Sequence, residues 1–185
     1  MTTVDLPAAA PALRRLYFTR FAFAIAWAVL VFLTTKSGLG AAGAALIVVY
    51  PLFDAGSAIV DSRTAGSGSS IRGLSVNIAI SLLATIGVGI AATSGIPAVL
   101  RVWGVWAIVA GLVQLIVALT RRELGGQWPM ILSGGISVLA GANFIISAAG
   151  ANASLSTVAG YAVLGGIFFL VSAIRLGRPR STSLR

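Results

Sequence analysis

AALIVVYPLFDAGSAIVDSR, residues 44–63, reads as a membrane-spanning helix with a carboxylate, Asp54, set inside it. At 1.5 Å per residue, Asp54 lies roughly 10 Å below Asp61, the acid near the end of the stretch. A carboxylate at the bilayer centre costs at least ~2.5 kcal/mol, so it should face protein rather than lipid. Tyr50, Asp54, Ser57 and Asp61 fall at i, i+4, i+7 and i+11, which places them on one helical face. Pro51 removes a backbone hydrogen bond to the Ile47 carbonyl and can bend the helix there. A polar stripe, a freed carbonyl and a carboxylate together would line a small cavity.

The rest of the chain decides that this stretch lies in a membrane. Of 185 residues, 58% are hydrophobic and 9% charged, where soluble domains carry about 25% charged residues. A mean hydropathy of +1.01 over 18.8 kDa cannot be hidden inside a globule of this size, because much of its surface stays exposed. Six segments approach the ~20 apolar residues that cross the hydrocarbon core: 17–35, 42–60, 73–93, 98–119, 129–149 and 154–174. The fold class expected is an all-α integral membrane bundle of six transmembrane helices in one membrane domain, 1–185. The links are short, and GSGSS at 66–70 reads as a flexible loop.

The sequence contains no His and no Cys, which removes thiol chemistry, Cys/His metal sites and histidine relays. Its four acids, Asp5, Asp54, Asp61 and Glu123, are scattered. No enzyme activity, cofactor or metal is expected.

The net charge is +9 and the pI about 11.7, and the positions of the charges explain both. Arg14, Arg15, Arg20, Arg63, Arg72, Arg121, Arg122, Arg175, Arg178, Arg180 and Arg185 fall on one side of the six spans. Lys36 and Arg101 fall on the other. The positive-inside rule then places both termini in the cytoplasm. The partner implied is the lipid bilayer, with its anionic headgroups, and not nucleic acid.

The sequence repeats at about 55 residues. Gly56, Gly111 and Gly166 are 55 apart, as are Pro51, Trp106 and Tyr161. AIAWAV (24–29), AISLLA (79–84) and GISVLA (135–140) align at offsets of 55 and 56. The units expected are three helical hairpins, approximately 17–63, 72–122 and 128–178. With two spans each, they have the same orientation and can be related by an axis along the membrane normal. Ser133, Ser137 and Gly141 form a small-xxx-small line, and Ala107–Gly111 and Ala162–Gly166 form shorter ones. Such lines let helices approach closely and would also permit a homo-oligomer.

RRELGGQWPMILSGGISVLAG, 121–141, resembles the HdeD-like family of small bacterial inner-membrane proteins. The resemblance lies in Gly126 and Trp128 before a span, in S-G-G-I-S-x-L-x-G within it, and in AGLVQLIVALTRR and GGIFFLVSAIR closing hairpins. It implies a non-enzymatic, multi-pass protein of the bacterial cytoplasmic membrane that contributes to acid or envelope stress resistance. It brings no catalytic residues.

Asp54 therefore has two compatible readings. It is the ion-pair partner of Arg20, which sits a few residues inside the first span at the same end. It is also a candidate site for a small proton- or cation-coupled transporter or channel, with Tyr50, Ser57 and Asp61 beside it. The positions 55 and 110 residues on, Val109 and Leu164, are apolar, so the repeated scaffold does not call for an acid there. Asn77, Ser81, Gln114 and Asn143 are expected to make hydrogen bonds between helices. Trp103 and Trp128 are expected at the membrane interfaces.

Overall fold

The computed structural model describes residues 6–64, 69–120 and 128–177. Six helices account for them: α1 Leu6–Thr34, α2 Ala41–Thr64, α3 Ser69–Ala92, α4 Ile96–Thr120, α5 Trp128–Ser147 and α6 Ser156–Leu176. Among the described residues there is no strand. Each helix holds a segment of 18 or more residues apolar enough to cross a membrane. The chain is thus a multi-pass membrane protein. α1 begins eleven residues before the expected span, and α2 and α3 also run on past theirs at the same end. Helices can extend beyond the hydrocarbon core because polar headgroups and water accept their flanking residues. Ser69 and Ser70 belong to the first turn of α3 rather than to a loop. Asp5, Gly66–Gly68, Arg121, Arg122, Glu123, Gly126, Arg178, Arg180 and Arg185 lie outside the described residues.

The helices close into a ring in which each contacts the next and α6 returns to α1. The closest partners are α4 with α5, α1 with α6, and α2 with α3; contacts within 1–2, 3–4 and 5–6 are looser. The tightest packing therefore runs between the expected hairpins.

Small residues at seven-residue spacing explain the tightest pair. α4 buries Gly104, Gly111 and Ala118, and α5 buries Gly134 and Gly141, with Ala148 buried in the turn that follows it. A Cβ on Gly104 would stand 2.6 Å from the Gly141 carbonyl oxygen, and one on Gly111 would stand 2.7 Å from that of Gly134. The two backbones touch, as small residues allow where lipid supplies no hydrophobic drive to association. α6 repeats the line with Ala159, Gly166 and Ala173 against α1, where Gly166 meets the Ala24 methyl. Gly56 differs from Gly111 and Gly166: it is exposed, with open space where a Cβ would be. Ala55 takes the buried position on α2.

An apolar core fills the half of the ring away from the termini. Trp27, Ile47, Val88, Leu100, Trp103 and Phe144 meet there, joined by Leu155 and Val158. Trp103 is fully buried in this core rather than at an interface, whereas Trp128 is exposed. Asn143 is exposed on the outside of α5. The turns at this end pass through Gly38 and Gly95, whose φ of +118° and +88° suits a residue without Cβ.

Candidate functional site: a charged pair in an axial cavity

In the other half, nearer the termini, the ring encloses a cavity of about 410 Å³ to which all six helices contribute. Its floor is aromatic. α2, α4 and α6 contribute Tyr50, Trp106 and Tyr161. Tyr50 stacks obliquely on Trp27 at 4.5 Å and on Trp103 at 5.4 Å, so the floor is continuous with the apolar core. Trp103 and Trp106 meet edge to face at 5.0 Å, a geometry that suits the charge distribution of aromatic rings. Below the floor, the Trp27 Nε1–H donates to the Leu46 carbonyl at 2.6 Å. That contact lies in the turn preceding Pro51, where the backbone ladder of α2 is interrupted.

One helical turn from each floor ring, the chain changes character. Four residues after Tyr50 comes Asp54, after Trp106 comes Ala110, and after Tyr161 comes Gly165; all three line the cavity. Val109 and Leu164, the positions 55 and 110 residues after Asp54, are instead exposed on the outer surface. The cavity-facing register of α2 is thus one residue off the sequence alignment: Tyr50, not Pro51, stands with Trp106 and Tyr161. Ala110 and Gly165 leave the room that the acid occupies.

Asp54 is held from two helices. Arg20 of α1 donates from Nη2 to Oδ1 and forms an ion pair with it. Asn77 and Ser81, one turn apart on α3, donate to Oδ2 at 2.9 and 2.8 Å. Both charged side chains are largely buried, with 13% of Arg20 and 15% of Asp54 exposed. A buried ion pair needs its remaining lone pairs satisfied to offset desolvation, and α3 supplies those bonds. The guanidinium lies over the Phe169 ring at 4.1 Å, within cation–π range.

Of the other residues on the sequence-defined stripe, Tyr50 lines the cavity, while Ser57 is buried in the protein without lining it. Asp61 lies farther toward the helix end, within electrostatic reach of Tyr17. The structure therefore brings Arg20, Tyr50 and Asp54 together at the cavity and leaves Ser57 and Asp61 off its wall. It adds Asn77 and Ser81, whose amide and hydroxyl the sequence marks as interhelical donors without naming their acceptor. It also adds Ser137, which bonds the Tyr161 hydroxyl at 2.8 Å and the Ser133 carbonyl at 2.9 Å. Gln114 lines the same space. Among the described residues no cluster of acids could hold a metal ion.

No family model, curated protein or solved structure matches this chain.

Proposed function

We propose that this is a non-enzymatic protein of the bacterial cytoplasmic membrane, with both termini in the cytoplasm, whose Arg20–Asp54 pair binds a small solute or proton. One observation carries the reading: a charged pair lines an axial cavity at a level where the neighbouring even-numbered helices present only Ala110 and Gly165. An ion pair needed for packing alone would not require that room. Intramembrane ionisable groups facing a cavity mark functional sites by default.

The non-enzymatic part is supported by what the cavity offers. Its hydroxyl pair, Ser137 and Tyr161, has no imidazole, thiolate or carboxylate bonded to it among the described residues, so that pair has no general base, and the Ser81 hydroxyl that does meet a carboxylate is off the cavity wall. The resemblance to HdeD-like proteins supplies the setting, acid or envelope stress, and the small-residue faces would allow a homo-oligomer. A continuous channel is disfavoured by the packed half beyond the aromatic floor. A transporter would have to open that half, and a bare cation would have to displace Arg20 from Asp54.

The test is acid survival of a deletion strain carrying wild type, Asp54→Asn or empty vector, with membrane abundance measured in parallel. Wild type is expected to restore survival and Asp54→Asn to fail at equal abundance. Equal survival of the two at equal abundance would remove the functional role of the carboxylate.

A further inference from the structure

If the Arg20–Asp54 pair is a binding site, as proposed above, its donors and acceptors define what it holds. Asp54 is an occupied acceptor, with Arg20 on Oδ1 and Asn77 and Ser81 on Oδ2. Donors are in surplus. Arg20 engages Asp54 through Nη2, and a guanidinium carries five N–H groups. The complementary ligand therefore brings an acceptor, and a carboxylate fits a guanidinium best because it can accept two parallel bonds. Phe23, Phe53 and Phe168 on the walls call for an apolar body. The volume, about 410 Å³, lies near the lower end of the ~300–1,000 Å³ range of small-molecule sites. Arg14, Arg15, Arg63 and Arg175 at the same end of the bundle would raise the local concentration of anions.

Charge balance adds a proton. Arg20 and Asp54 sum to zero, and an anion alone would leave a net charge in a cavity with largely apolar walls, which is unfavourable. The groups facing Asp54 are Arg20 from α1, Tyr50 from α2 and Tyr161 from α6. α3 presents Asn77 and Ser81, and the cavity residues of α4 and α5 are uncharged. Asp54 is thus the group able to accept the proton. We propose that the cavity binds a small organic carboxylate with an apolar body together with one proton. The ligand carboxylate takes the Arg20 guanidinium. Asp54, released from it, takes the proton on Oδ1, while Asn77 and Ser81 keep Oδ2. Net charge in the cavity does not change.

The test is isothermal titration of the purified full-length protein in detergent with benzoate, benzamide and benzylamine. Wild type is expected to bind benzoate and neither of the others. Affinity should fall about tenfold per pH unit wherever binding takes up one proton. One proton should be taken up per benzoate, read from buffers of different ionisation enthalpy. Asp54→Asn, a mimic of the protonated acid, should bind benzoate with no proton uptake and no pH slope. No benzoate binding by wild type, a preference for benzylamine, or binding without proton uptake would each overturn the proposal. The proton count uses wild type alone, so it stands even where a variant does not fold. Asp54-dependent acid survival without benzoate binding would overturn the ligand class and leave the site's role intact. Benzoate binding without that phenotype would support the ligand class and remove the stress role.

Discussion

The two halves of this bundle are built from the same six helices and do opposite things. Away from the termini, Trp27, Ile47, Leu100, Trp103 and Phe144 fill the axis with apolar side chains. Toward the termini, the same ring encloses a cavity with a charged pair on its wall. The boundary is one helical turn thick. It lies between the rings of Tyr50, Trp106 and Tyr161 and the residues four later, Asp54, Ala110 and Gly165. Side-chain volume along the axis falls at that step, where the large rings give way to Asp54, Ala110 and Gly165.

The comparison breaks most severely where the backbones touch. Gly141→Val places a Cβ 2.5 Å from the Gly104 carbonyl oxygen and 2.8 Å from the Ile108 side chain. Backbone cannot yield as a side-chain tip can, so the cost is expected to reach or exceed about 3 kcal/mol, the upper end for overpacked cores. The readout is unfolding in mixed micelles followed by circular dichroism. A mutant as stable as wild type would show that α4 and α5 separate easily, and that the close approach does not hold the ring.

Breaking the charged pair comes next. Arg20→Ala leaves Asp54 with Asn77 and Ser81 but no countercharge, and truncating one partner of a buried pair costs about 3–5 kcal/mol. The residual exposure of both groups moves the expectation to the lower end, about 2–3 kcal/mol. Adding Asp54→Ala should recover part of that loss, because no buried charge then remains. Equal stability of the single and double mutants in the same unfolding assay would mean that the pair is solvated in the cavity rather than dependent on its partner.

Much of this was legible in the sequence, for physical reasons. Six apolar runs in a chain with 9% charged residues leave few folds other than a helical membrane bundle. Arg20 and Asp54 are each incompatible with lipid and sit at similar depth near one end, so each identifies the other as partner. The acceptor for Asn77 and Ser81 was not legible, since it depends on how α3 is rotated about its axis. The cavity register of α2 departs by one residue from the sequence alignment because Tyr50 and Pro51 are adjacent, and apolar alignments fix register poorly. Trp103 looks interfacial by its distance from the end of α4, yet it turns inward. The seven-residue lines of Gly and Ala are not visible at the four-residue spacing of small-xxx-small motifs, because long helix pairs can keep contact every seventh residue.

A smaller effect sharpens the contact between the two halves. Trp27→Phe keeps an aromatic ring beside Trp103 but loses the donor to the Leu46 carbonyl and leaves a small void. The expected loss is about 2 kcal/mol, a net hydrogen bond plus the cavity. A much larger loss would show that this indole also supports α2 where Pro51 interrupts it.

The smallest effect is expected at Gly165. Gly165 lies in α6 beside Gly166, lines the cavity, and has nothing within 4 Å of where a Cβ would be. Gly165→Ala therefore meets no steric cost, while Ala favours a helix over Gly by up to about 1 kcal/mol. The expected outcome is a stability equal to wild type or slightly above it. Gly141→Ala, the same chemical change on α5, should be destabilising because its Cβ has no room. The pair of measurements isolates space from helix propensity, since propensity contributes with the same sign to both. If Gly165→Ala lost as much as Gly141→Ala, the helices would have to close over the cavity in the membrane, and the open half would be as tightly packed as the sealed one.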